Sequence, residues 1–243
     1  MEGFGLVLAL AALPAAGNFL GGVVAEMFSV SKRALSLALH LAAGIVLAVV
    51  GIELMPEALK GSPAWVPIVA FVVGGAAFIA LEHGIGYVQA RLGATEKSAG
   101  PWAIFTGVSL DLFSDGVMIG TGTVLNPTLG LLLALGQVPA DVPEGFAAVA
   151  TLRRADISRV KRILMSLAFA IPILVGASLG YFALRDAPEM VTLAILALTG
   201  GVLISVVVEE MLTEAHEADT SRWEALFLTA GFALFALISV YVG

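Results

Sequence analysis

The chain contains no cysteine, which excludes disulfide bridges, thiolate metal sites and thiol redox chemistry together. Charge is scarce too: Asp, Glu, Lys and Arg make up 13% of 243 residues, against 59% hydrophobic residues and a mean hydropathy of +1.01. A water-soluble fold cannot hide so much apolar surface behind so few charges. The twelve Lys and Arg residues are thinly spread in short stretches, which leaves nucleic-acid binding without support. Histidine occurs only at His40, His83 and His216. The net charge of −7 is not a solubility device, because several of the acids lie inside apolar runs.

Breaking the sequence at its charge and Pro/Gly clusters leaves eight apolar segments, near residues 3–28, 34–58, 64–90, 101–125, 127–152, 160–184, 189–215 and 223–242. Each is long enough for a helix to cross a bilayer, which takes about 20 residues. The expectation is an all-α membrane protein of eight transmembrane helices forming a single domain over residues 1–243, with the first segment kept as a helix rather than cleaved. Lys32, Arg33, Arg91, Lys97, Arg153, Arg154, Arg159, Lys161, Arg162 and Arg222 fall on the odd-numbered connections, and only Lys60 and Arg185 on the even ones. Basic connections face the cytoplasm, so both termini are expected outside. A loop-poor, cysteine-free chain suits a prokaryotic plasma (inner) membrane.

Segments two and seven each carry a Glu, three residues, a second Glu and an Ala, at Glu53–Glu57–Ala58 and Glu210–Glu214–Ala215. Five segments apart, they cross the membrane in opposite directions, as inverted repeats of transporters do.

The chemistry concentrates in segments four and five. Asp111 and Asp115 are four residues apart and share a helical face; Asp141 and Glu144 are three apart, beside Pro139 and Pro143. A charge at mid-membrane costs at least about 2.5 kcal/mol, and neither segment offers a cation among these acids. The arrangement requires a bound metal ion, or else protonated acids acting as hydrogen-bonded helix glue. Pro143 also leaves the carbonyl of residue 139 without its helical donor, a further oxygen for a ligand set.

The strings Asp115-Gly116 and Asp141-Val142-Pro143-Glu144-Gly145, with Glu53-Leu54-Met55-Pro56-Glu57-Ala58 in the second segment and Glu209-Glu210-Met211 in the seventh, resemble the ZIP (Zrt/Irt-like) metal transporters. The resemblance covers nearly the whole chain. It implies a 3+2+3 arrangement, with segments 1–3 and 6–8 as inverted repeats around segments 4 and 5. It also implies transport of a divalent cation such as Zn, Fe(II), Mn or Cd as substrate, with no tightly bound cofactor and no enzymatic activity. Carried over by position, one metal site falls on Asp111, Asp115 and Glu144, and a second on Asp141 with shared carboxylates. Leu112 and Ala140 stand where the family has nitrogen or amide ligands, and Ile171 where some members have a Glu. The second site is therefore expected to be weak or absent and the first to be all oxygen, a donor set that suits Mn, Fe(II), Mg or Ca better than Zn.

On the cytoplasmic side, Glu82, His83, Glu210, Glu214 and His216 are candidates for a metal exit relay, whereas His40 reads as an interfacial residue snorkelling to water. Met55, Met118 and Met211 read as packing. The connection at residues 92–101 has no His, so no metal-sensing loop is expected. The small residues Gly74-Gly75-Ala76-Ala77 would permit a homodimer, and the remaining partner is membrane lipid. Two rival functions stay open: an intramembrane enzyme using an aspartate pair, though the Gly-x-Gly-Asp string of such proteases is missing, and a metal sensor that does not transport.

Overall fold

The computed structural model describes residues 2–29, 31–61, 63–91, 96–216 and 222–242. The described residues form eight helical units and no strand: α1 (Glu2–Met27), α2 (Lys32–Ala58), α3 (Trp65–Arg91), α4 (Glu96–Leu125), α5 (Pro127–Arg154), α6 (Arg159–Leu184), α7 (Glu189–Ala215) and α8 (Trp223–Val242). They follow the eight expected segments closely. Seven are long and apolar enough to cross a membrane; α5 is long enough but carries too many polar residues to qualify on composition alone. Of the 92–101 connection, residues 92–95 lie outside the described residues.

Local chemistry sets the helix ends. Ser31 caps α2 by accepting from the Ala34 amide at 3.2 Å, and Asn126 caps α5 by accepting from Thr128 at 2.9 Å, with Pro127 at the first helical position. At the far end of α5, Asp156 adopts the left-handed conformation (φ 58°) and the Ile157 amide reaches back to the Leu152 carbonyl at 3.2 Å. The helix α6 is interrupted at Phe169, just before Pro172, which has no amide to offer the carbonyl of Ala168.

Neither α2 nor α7 is regular. A π-helical stretch interrupts α2 at Val49–Leu54 and α7 at Val207–Met211, and each is followed by one last α turn, Met55–Ala58 and Leu212–Ala215. The two stretches fall on the matching Glu-bearing strings. Such local widenings occur mostly at functional positions.

The most extensive helix pairings are α1 with α5, α4 with α6, α3 with α7, and α2 with α8. Each crosses backbone to backbone at reciprocal glycines. Gly21 lies against the Val142 carbonyl and Gly145 against that of Asn18; Gly116 faces Ile173 and Gly176 faces Phe113; Gly74 faces Leu198 and Gly201 faces Phe71; Gly44 faces Leu228 and Gly231 faces Leu41. With no hydrophobic force between helices in lipid, close contact through small residues supplies the attraction. Gly74 and Gly75 face α7 of the same chain and are not an open surface, so they are not the face on which the homodimer expectation rested.

Centrally placed α4 and α2 have 67% and 61% of their spanning residues buried, whereas α3 and α8 have 17% and 11%. The outward faces of the latter pair carry Ile68, Val69, Val72, Val73, Leu226, Leu234 and Leu237. The main apolar core gathers α2, α4, α5 and α7 around Ile45, Val49, Met118, Leu133 and Leu203. Met118 and Met211 belong to this core, and Met55 packs on it.

Candidate metal site

The acids of the central pair converge between α4 and α5. Asp111, Asp115 and Asp141 are 6%, 0% and 2% exposed, and Glu144 is partly buried. A small cavity is bordered by Asp111, Gln137, Ala140, Asp141 and Glu144, and closed on its other sides by Val46 of α2 and Leu203, Val206 and Met211 of α7. Asp115 joins the group through Gln137, whose amide donates to an Asp115 carboxylate oxygen. No basic side chain is among the residues that border this cavity.

Helical periodicity explains the arrangement. On α5, Gln137, Asp141 and Glu144 recur at i, i+4 and i+7 on one face; on α4, Asp111 and Asp115 do so at i and i+4. Pro139 and Pro143 both lie inside α5, and Pro143 cannot donate to the Pro139 carbonyl one turn earlier.

Two carboxamides complete the group, and sequence reasoning did not single out either. Gln137 is 1% exposed, and Asn18 of α1 is fully buried with its amide 3.4 Å from Glu144 Oε2. Gln137 shares the period of Asp141 and Glu144, a signal present in the sequence. Asn18 is legible only as a lone polar residue in an apolar run.

Five buried oxygens here have no hydrogen-bonding partner among the described residues: Asn18 Oδ1, Asp111 Oδ1, Asp115 Oδ2, Gln137 Oε1 and Asp141 Oδ2. An unsatisfied buried polar atom costs about 1–3 kcal/mol. Clustered acceptors without donors are the environment of a hard or borderline cation, and oxygen sets of this kind accept Mn, Fe(II), Mg, Ca or Zn.

A wider cavity of about 340 Å³ begins at Glu144 and Met211, which border both cavities, and runs between α4, α5 and α7 past Gly107, Ala148, Thr151, Glu210 and Glu214 to Arg154. These residues approach the ends of their helices that carry the basic connections. Of the five relay candidates, Glu210 and Glu214 line this cavity. Glu82 and His83 are exposed on α3, with His83 Nδ1 2.9 Å from its own Ile79 carbonyl, and neither borders the cavity. His216 is exposed and stands beside His40. His40 is itself a correction: it does not snorkel to water but is 3% exposed, because its ring turns inward between α2, α7 and α8.

The basic connection after α5 is fastened to α1. Arg162 holds Glu26 through Nε and through Nη2 at 2.9 Å, Arg159 adds a 3.5 Å contact, and Arg153 donates to the Ala25 carbonyl at 3.3 Å.

Residues 89–239, more than half of the chain, match the family model described as ZIP Zinc transporter. Zinc transporter ZIP6 of Homo sapiens is 28% identical over 170 residues, which are 66% of this chain but only 22% of ZIP6, so the chain spans about a fifth of that relative. Zinc transporter ZIP10 of Mus musculus is 26% identical over 176 residues, 66% of this chain and 20% of the relative. Zinc transporter ZupT of Shigella dysenteriae is 27% identical over 247 residues, covering 95% of both chains. A bundle of apolar helices with acids gathered at its centre, and a match over most of its length, make this chain a member of the ZIP zinc transporter family, whose members are transporters and not enzymes.

Proposed function

We propose that the chain carries a divalent metal cation across the plasma membrane, as uptake, with Asp111, Asp115, Asp141 and Glu144 as its binding site. The observation that carries this reading is the convergence of four carboxylates and two carboxamides around a cavity with no basic neighbour. The ion enters from the side of the even connections, exchanges water for carboxylate oxygens, and leaves along the Glu144, Glu210 and Glu214 cavity toward the basic connections. Those connections face the cytoplasm by the positive-inside rule, which leaves both termini outside. Zinc is named in the relatives; the all-oxygen donor set widens the expected substrates to Mn(II), Fe(II) and Cd(II).

The whole chain acts as one transmembrane domain. We read α1–α3 and α6–α8 as inverted repeats around α4 and α5. Exchanging α1 with α6, α2 with α7, α3 with α8 and α4 with α5 turns each of the four main helix pairings into another of the four, and carries one π-helical stretch onto the other.

The test is metal flux into vesicles holding the purified chain, with Zn(II), Mn(II), Fe(II) and Cd(II) in turn. The parent should accumulate at least one of them, and Asp115→Ala and Glu144→Ala should each slow accumulation by at least about tenfold. Undiminished flux through both variants would refute the site. Binding without flux in the parent would make the chain a sensor.

A further inference from the structure

A second group of ligand-type side chains lies apart from the acids of α4 and α5. His40 of α2, His216 at the end of α7 and Glu224 in the first turn of α8 bring one ligand atom each within 4.8 Å of one another. His40 Nε2 is 4.0 Å from a Glu224 carboxylate oxygen, and the two imidazole rings meet edge to face with centroids 5.1 Å apart. His40 and Glu224 are 3% and 9% exposed, while His216 opens to solvent.

The orientation of the rings decides what they can do. His40 Nδ1 lies 2.8 Å from the Ser36 carbonyl, and His216 Nδ1 is hydrogen-bonded to the Leu212 carbonyl. A carbonyl oxygen only accepts, so each Nδ1 must carry the hydrogen, and the neutral ring then keeps its lone pair on Nε2. Fixing one ring nitrogen through a backbone carbonyl, so that the other is presented as a ligand, is the usual outer-shell arrangement of metal-binding histidines. Here both rings have it, and a carboxylate stands within reach of both.

We infer that His40, His216 and Glu224 form a binding site for a borderline transition-metal ion, Zn(II) or Co(II), separate from the carboxylate site between α4 and α5. Two imidazoles and one carboxylate favour these ions over Mg, Ca or Mn. Bonds of about 2.0–2.1 Å put tetrahedral ligand atoms about 3.4 Å apart, so the group closes on an ion by side-chain shifts of about 1 Å. Three protein ligands leave a fourth position for water. The site lies at the mouth of the wider cavity: Leu39, next to His40, and Glu214, two residues before His216, both line it. Metal held there ties together the ends of α2, α7 and α8.

The discriminating property is imidazole, because Asp111, Asp115, Asp141 and Glu144 offer none. Zinc X-ray absorption is measured on the purified full chain and on the Asp115→Ala/Glu144→Ala variant, each loaded with Zn(II). The expected result is imidazole scattering from two rings in both proteins, lost in His216→Ala and retained in His83→Ala, with at least about tenfold weaker zinc retention in His216→Ala and Glu224→Gln. Because His40 is buried and its replacement can unfold the chain, the surface variant His216→Ala carries the test. Zinc bound without imidazole in the parent, or imidazole scattering removed by His83→Ala alone, overturns the site. If the Asp115→Ala/Glu144→Ala variant binds as many zinc ions as the parent, it is the proposed transport site that fails, and this one stands.

Discussion

Gly145 follows Glu144 and, with Gly21 on the opposite helix, marks the close crossing of α5 and α1. A Cβ at Gly145 would fall on the Asn18 carbonyl oxygen, with the carbonyl carbon and Cα of Asn18 also inside contact distance. These are backbone atoms, so no rotamer change can relieve the clash; α1 must move by about 1 Å or α5 must bend. Overpacking of this kind costs about 1–3 kcal/mol, and a rigid obstacle puts Gly145→Ala at the upper end. For a chain of this size about 2–4 °C of melting temperature accompanies each kcal/mol, so the variant should melt about 5–10 °C below the parent in detergent. Function should suffer in parallel, because the displaced residue is the one whose amide reaches Glu144. Metal affinity by calorimetry is expected to drop by about tenfold or more. Gly5→Ala is the control, since a Cβ there meets nothing within 4 Å. A Gly145→Ala protein that melts with the parent and binds metal equally would refute the account of the α1–α5 crossing and the role given to Asn18.

Gln137→Leu removes the amide donor to Asp115 and should weaken metal binding about 10–100-fold while the protein still folds; unchanged calorimetry would mean that the carboxamide only fills space. Arg162→Met leaves Glu26, 7% exposed at its side chain, with the weaker and more exposed Arg159 as its ion pair among the described residues. Breaking a buried pair costs about 3–5 kcal/mol, and the location at the helix ends together with Arg159 reduces this to about 2 kcal/mol. A double-mutant cycle with Glu26→Gln that yields less than about 0.5 kcal/mol of coupling would refute it. Carboxylates ligate only when deprotonated, so protons and metal compete for the α4–α5 site, and metal affinity should fall as pH is lowered from 7 to 5. Calorimetry at fixed metal and stepped pH checks this sign; affinity that rises in acid would contradict an oxygen-ligand site.

Much of the architecture was legible because membrane spans leave so blunt a mark. Segment lengths and the charge and Pro/Gly clusters between them bracket the eight helices, and Asp111, Asp115, Asp141 and Glu144 stand out as acids where lipid tolerates none. What escaped depends on partners far away in the chain. Asn18 gains its meaning from Glu144, 126 residues on. His40 reads as an interfacial residue until the ends of α7 and α8 arrive beside it. Gly74 and Gly75 suit a homodimer equally well until α7 is found to occupy them, since a small-residue face does not say which helix it meets. The π-helical stretches at Val49–Leu54 and Val207–Met211 left no sign in periodicity, because the widening of a helix by one residue per turn is decided by packing around it.

Glu144 and Met211 border both the closed cavity and the open one. On the proposed path an ion that leaves the closed cavity for the open one passes Glu144 and Met211, one carboxylate and one thioether. On that path the Glu144 carboxylate bears on both the hold on the ion and its release. A replacement that tightens hold on the ion should slow its departure, and one that loosens it should cost capture at low supply, so turnover and affinity are expected to trade against each other at this residue and not to improve together.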